Sequence, residues 1–198
     1  MKPTTKKGNG KRSRPRPIPK VLTGAELDRL WMAMEKDTPT KLRNLCMVKM
    51  GANCGLRSQE IVDLRYGDIE WESGKLVVKG KGGKERVLWI SDADLALLQE
   101  LIEVNPTSKT GAWLFVTASG RKVDTRFMRA MLEWLGRKIG RHIAPHGLRH
   151  TFAVDLLQRT KNIYLVQQAL GHSSISTTQV YLSLVPGELS EGMRGLRP

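Results

Sequence analysis

Two stretches carry most of the reading. The first is Pro145-His146-Gly147-Leu148-Arg149-His150-Thr151-Phe152-Ala153. The second is Leu170-Gly171-His172-Ser173-Ser174-Ile175-Ser176-Thr177-Thr178-Gln179-Val180-Tyr181. Proline suits the first turn of a helix, where its missing N–H costs nothing. A helix is therefore expected from Pro145 to about Arg159. His146 and Arg149 are three apart and share one of its faces. A further helix is expected over Ile163–Leu170. Gly171 stops it by adopting the left-handed backbone that ends many helices. His172 then stands on a loop, and a short helix over Ser176–Leu184 delivers Tyr181 nine residues later. Histidine exchanges a proton near neutral pH. Arginine's planar fork can hold two phosphate oxygens. Taken singly, each residue has an ordinary alternative: a surface histidine beside a solvated arginine, or a tyrosine that only packs.

Outward from these stretches the chain reads as mostly helical. Thr23 and Glu26 form a capping-box pattern before Leu27, Leu30, Trp31 and Met34 at helical spacing. A second helix opens near Thr38-Pro39, carries Leu42, Leu45, Cys46 and Met50, and ends near Gly55. A short one follows over Ser58–Leu64 with Ser58 as N-cap, which puts Arg57 where backbone N–H groups favour an anion. The period then changes. Asp68–Trp71, Lys75–Lys79 and Lys84–Ile90 read as three short antiparallel strands, with turns at Ser73-Gly74 and Gly80–Gly83. Lys81 sits at the tip of the second turn. A helix over about Asp92–Val104 is capped by Ser91. A strand at Trp113–Val116 precedes a turn at Gly120. A helix over about Thr125–Ile139 places Phe127, Met128, Met131, Leu132 and Leu135 on one face. The expected class is mostly α with a small three-stranded antiparallel sheet (α+β).

Several chemistries are excluded. No G-x-x-x-x-G-K-[ST] loop exists for a nucleoside triphosphate, and Gly80-Lys81-Gly82-Gly83 lacks the third glycine and following helix of a dinucleotide site. His142, His146 and His150 are four apart, but Pro145 should leave His142 outside the helix, and no acid or cysteine nearby completes a shell, so no metal is expected. Cys46 and Cys54 lie eight apart along one helix and cannot bridge, so they read as buried free thiols of a reducing cytoplasm. No apolar run reaches the ~18 residues of a membrane span.

The net charge is +14, and residues 1–20 hold eight Lys and Arg with no acid. With four prolines and few apolar side chains, that segment reads as a disordered basic arm. The rest of the chain is still net basic. Both parts favour a polyanion, and nucleic acid is the commonest in a cytoplasm. Lys11, Arg12, Arg14 and Arg16 in the arm, with Lys79 and Lys84 on the hairpin, are candidate DNA-binding residues.

The ordered set Arg57, Lys81, His146, Arg149, His172, Tyr181 is far more specific than its members. With the spacing from Arg57 to Lys81, the Leu148–Ala153 run and the step from His172 to Tyr181, it resembles the tyrosine recombinase (phage integrase) family, which includes the Xer recombinases. The resemblance covers about residues 21–185. It implies a catalytic domain there, and the six residues as its catalytic set. It implies site-specific cutting and rejoining of double-stranded DNA through a 3′-phosphotyrosyl intermediate, with no cofactor, metal or ATP. It also implies a homotetramer on two DNA sites; a monomer without DNA and accessory proteins are compatible with it. Residues 186–198 read as a tail that could dock in a neighbouring protomer, although Gly187, Gly192 and Gly195 weaken a helix there. Most family members carry an N-terminal core-binding domain, and here only the arm precedes residue 21. Two readings stay open: a minimal protein like the small fimbrial DNA invertases, or a piece of a longer chain. Two alternatives to recombination also stay open: type IB topoisomerase-like relaxation, and a non-catalytic DNA-binding regulator.

Overall fold

The structure is a computed structural model, and it describes residues 19–80, 83–105, 107–110 and 112–185. The arm with Lys11, Arg12, Arg14 and Arg16, the hairpin tip with Lys81, and the tail at 186–198 lie outside the described residues.

Eight helices follow in chain order among the described residues: α1 Gly24–Met32, α2 Pro39–Asn53, α3 Ser58–Val62, α4 Asp92–Val104, α5 Thr107–Thr110, α6 Thr125–Lys138, α7 Pro145–Thr160 and α8 Ile163–Leu170. Strands β1 Ile69–Glu70, β2 Lys75–Lys79 and β3 Glu85–Trp89 lie between α3 and α4. The mostly helical reading with one three-stranded antiparallel sheet therefore holds.

The helix starts follow local chemistry. Thr23 and Glu26 exchange side-chain and backbone hydrogen bonds in the expected capping box. Thr38, Ser91, Asp124 and Asn162 each accept from a first-turn N–H. A helix that is apolar on most sides belongs in an interior, and α2 obeys this. Leu42, Cys46, Met47, Val48 and Met50 are all buried, and α2 packs between α4 and α7. The sheet runs β1-β2-β3, with Leu76 opposite Leu88 and Val78 opposite Arg86. Leu76, Val78 and Leu88 point inward. A second, smaller core joins α7 and α8 through Ala153, Val154, Leu157, Val166, Leu170, Tyr181 and Val185.

Four expectations need correction, and one element is new. The short third helix stops at Val62, and its N-cap is Arg57, whose N–H is satisfied by the Glu60 carboxylate at 2.8 Å rather than by Ser58. Trp113–Val116 is no strand: Val116 makes a single bridge to Lys122, and the Leu114 N–H goes instead to Leu64 O. The short helix expected over Ser176–Leu184 is present as two consecutive 3₁₀ helices, Ile175–Thr177 and Gln179–Leu184, rather than one continuous helix. The buried Thr178 side chain, between the two, is engaged with the His172 ring. Phe127 is 39% exposed on α6, beneath the Arg43 guanidinium, rather than in the core. Finally, the short helix α5 was not expected. Cys46 and Cys54 are buried free thiols, and burial first, then Asp94, pushes both up to about 12.

Candidate active site

Gly55 ends α2 with φ +63°, a backbone that glycine adopts without strain. Leu56 then drops into the core, and Arg57 begins α3. One turn on, the Glu60 carboxylate becomes the hub of a charged cluster. It accepts from Arg57 Nη1 at 2.7 Å, and from Arg86 Nη1 and Nη2 at 2.9 and 2.7 Å. Arg149 Nη1 lies 3.8 Å away. Burial works to raise the Glu60 pKa, but the hydrogen bonds and charge of Arg86, with those of Arg57, win and hold it at about 2.

Arg149 is 4% exposed on α7. Its guanidinium donates to Gly55 O at 2.5 Å and to Leu170 O. It thus ties the end of α2 to the end of α8. Burial, then the Arg57 charge, brings its pKa down to about 10, so it stays cationic at neutral pH. Two of its five N–H donors are used on these carbonyls, leaving others for a ligand.

Gly171 takes φ +62° as expected and turns the chain into His172. The His172 backbone is bonded to Gln167, and its Nδ1 meets Thr178 Oγ1 at 2.9 Å. Burial first, then Arg149 and Arg57, lowers its pKa to about 4. Its imidazole is therefore neutral at pH 7. Tyr181 is 2% exposed. Burial raises its pKa, and Arg149 pulls in the opposite direction. Its hydroxyl lies 2.8 Å from His150 Nδ1.

Arg57, His146, Arg149, His172 and Tyr181 line one cleft of about 620 Å³, with His150 among them. The structure thus brings together five of the six residues singled out from the sequence; Lys81 lies outside the described residues. Lys79 and Lys84 flank that tip and are exposed, with Lys79 Nζ 3.6 Å from Asp68. His142 lies before α7, as the proline implies. Among the described residues, no group of three or more His, Cys, Asp or Glu side chains is arranged to hold a metal ion. No helix among them is long and apolar enough to cross a membrane.

Sequence reasoning missed three residues. His146 is the histidine of the six-residue set on this helix, but His150, one turn on, is the one bonded to the Tyr181 hydroxyl. The i, i+4 spacing carried that signal. Glu60 was legible as the third residue of an acid-capped first turn. Arg86 was legible as a charge two residues before Leu88, and so on the same inward face of its strand.

A mostly helical domain with this small sheet and this cleft has the fold of tyrosine recombinase catalytic domains. A crystal structure of XerA recombinase superposes with a TM-score of 0.78 at 30% identity, covering 93% of this chain and 67% of that one. XerH bound to a palindromic difH substrate after cleavage gives 0.78 at 27% identity, covering 89% and 53%. The chain belongs to the phage integrase family, whose sequence model matches residues 20–187. Its relatives include tyrosine recombinase XerC of Psychromonas ingrahamii, 34% identical over 85% of this chain and 58% of that protein. Tyrosine recombinase XerA of Pyrococcus furiosus is 34% identical over 90% of this chain and 62% of that protein. The chain spans little more than half the length of these curated relatives.

Proposed function

We propose that this protein is a tyrosine-type site-specific DNA recombinase, with Tyr181 as nucleophile. The observation that carries this is the buried Tyr181 hydroxyl in a cleft shared with Arg57, Arg149 and His172. Cleaving a phosphodiester requires stabilised charge on the non-bridging oxygens, a deprotonated nucleophile and a protonated leaving group. Arg57 and Arg149 supply the first through charge-assisted bonds. A preorganised donor of this kind is worth about 3–4 kcal/mol in the transition state. Neutral His172, held at Nδ1 by Thr178, is assigned the tautomer that offers its Nε2 N–H to the phosphate, and His146 adds another polar group on the same wall. Glu60 and Arg86 touch no substrate in this scheme; they position the two arginines. Lys81 is assigned as the acid for the leaving 5′ oxygen.

The product is a 3′-phosphotyrosyl ester. It conserves the energy of the broken bond, so rejoining uses neither ATP nor a metal. The partners assigned are double-stranded DNA and three further copies of the chain on two DNA sites, in the cytoplasm. Residues 1–20 serve as a DNA-binding arm, 21–185 as the catalytic domain, and 186–198 as a tail that docks in trans.

The test is covalent trapping on nicked suicide duplexes drawn from the DNA flanking the gene. The unaltered chain is expected to form a detergent-resistant adduct and Tyr181→Phe none. An adduct with Tyr181→Phe overturns the assignment. Strand exchange between two labelled duplexes supports recombination, whereas relaxation without exchange points to a topoisomerase.

A further inference from the structure

His150 Nδ1 and the Tyr181 hydroxyl are 2.8 Å apart, a normal length for a hydrogen bond involving a hydroxyl. Their rings are tilted at 54° with centroids 5.7 Å apart. Both partners are held from behind. Next to His150, Arg149 pins α7 to Gly55 O and Leu170 O. The Tyr181 N–H bonds Thr178 O at 3.0 Å, and buried Thr178 is in turn fixed to His172. A pair held in this way is preorganised rather than a chance surface rotamer.

Resting on the recombinase reading above, we propose that His150 takes the phenolic proton of Tyr181 through Nδ1 as the tyrosine attacks phosphorus. The step balances. The Oη–H bond breaks and an Nδ1–H bond forms. The Oη–P bond forms as the bond from phosphorus to the 5′ oxygen breaks, and that oxygen takes a proton from the Lys81 ammonium. Rejoining reverses every transfer, with the imidazolium returning its proton to the departing tyrosine.

The surroundings suit an acceptor. A general base must lie within hydrogen-bond reach of its proton and carry a free lone pair. Burial, then His146 and Arg149, lowers the proton affinity of His150. The ring is therefore neutral at pH 7, and the tautomer that the proposal assigns carries its proton on Nε2 and turns the Nδ1 lone pair to the phenol. His146, its ring centroid 6.3 Å from that of His150, is left free to face the phosphate.

The test uses the full chain and a nicked duplex on which the unaltered chain forms its adduct. His150→Asn sets an amide oxygen near the place of Nδ1. It can hold the hydroxyl but cannot take the proton. Single-turnover cleavage is expected to fall by about 10²–10⁴-fold, the usual contribution of a positioned acid or base, with DNA affinity unchanged. Incorporating 3-fluorotyrosine at position 181 makes the phenol more acidic. It is expected to raise the cleavage rate of His150→Asn by a larger factor than it alters the rate of the parent, so that the gap between the two narrows. Parent-like cleavage by His150→Asn overturns the proposal. So does a slow His150→Asn that 3-fluorotyrosine leaves equally slow, because the histidine then only positions. No adduct from the unaltered chain on any flanking duplex sinks the recombinase reading itself, a result distinct from either of these.

Discussion

Glu60 and Arg86 meet oxygen to nitrogen twice, at 2.9 and 2.7 Å, and so clamp α3 to β3 beneath the cleft. Arg86 Nε donates as well to Ala169 O at the end of α8. One carboxylate thus fixes the relative places of three segments that carry Arg57, Arg149 and His172. Breaking such a buried pair leaves an uncompensated charge, at a cost of about 3 kcal/mol or more. The expected result for Glu60→Gln is a destabilisation of that size at pH 7, read from urea unfolding. The sign with pH follows from the lowered pKa. Glu60 contributes fully above its ordinary value of 4.5, and the contribution drains away as pH falls toward about 2. The stability gap between parent and variant should therefore narrow below pH 4.5. A gap constant from pH 7 to 3 would show that the charge is not its source.

Gly55→Ala tests the joint from the other side. Its φ of +63° is unfavourable for alanine, and an added Cβ would lie 2.3 Å from Phe152 Cδ1. Strain of this kind alone costs about 1–3 kcal/mol, and the clash adds to it. The melting temperature should drop by roughly 5–10 °C for a chain of this size. Gly67→Ala is the control, since nothing lies within 4 Å of its added Cβ. Equal melting of the two variants would refute the reading of this turn.

What the sequence disclosed, and what it hid, divides along physical lines. Caps, Pro39, Pro145 and Gly171 act within one helical turn, so the helix starts and stops could be read locally. Tyr181 and Arg149 were found because their chemistry is rare in combination, not because their neighbourhoods are unusual. Around Tyr181 the helical spacing of Ser176–Leu184 was legible but its division into two 3₁₀ helices was not, and the contact of Thr178 with His172 between them appears only in three dimensions. His150 escaped for a related reason. Its partner is 31 residues away, and the choice between it and His146 depends on how α7 is rotated, which Arg149 sets through two distant carbonyls.

His172 should titrate far below an ordinary histidine in the free protein. Burial and two arginines bring it to about 4. The unfolded chain takes up this proton first as pH falls, so folding loses stability from about pH 6.5 down to about 4. His172→Gln is expected to flatten that decline in urea unfolding measured across the interval. A bound phosphate supplies negative charge and opposes the arginines. The His172 imidazole followed by NMR should therefore titrate at higher pH with a short duplex than without one. A free-protein titration near 6.5 would contradict the cleft's electrostatics.

The basic N-terminal segment gives the last expectation, and the fold says where to cut. The Leu22 N–H donates to Thr151 Oγ1 at 2.8 Å, and Val21 O accepts from Arg141. Pro19 and Lys20 line the cleft beside them. Deleting residues 2–18 therefore keeps these contacts while removing seven of the eight Lys and Arg before residue 21. Every phosphate that the arm no longer neutralises should flatten the slope of log affinity against log salt by ~0.9, so four engaged side chains would change it by about 3.6. The cleft residues remain, so single-turnover cleavage at saturating protein should be preserved. An unchanged salt slope in a titration from low to moderate salt would remove the arm from the DNA interface.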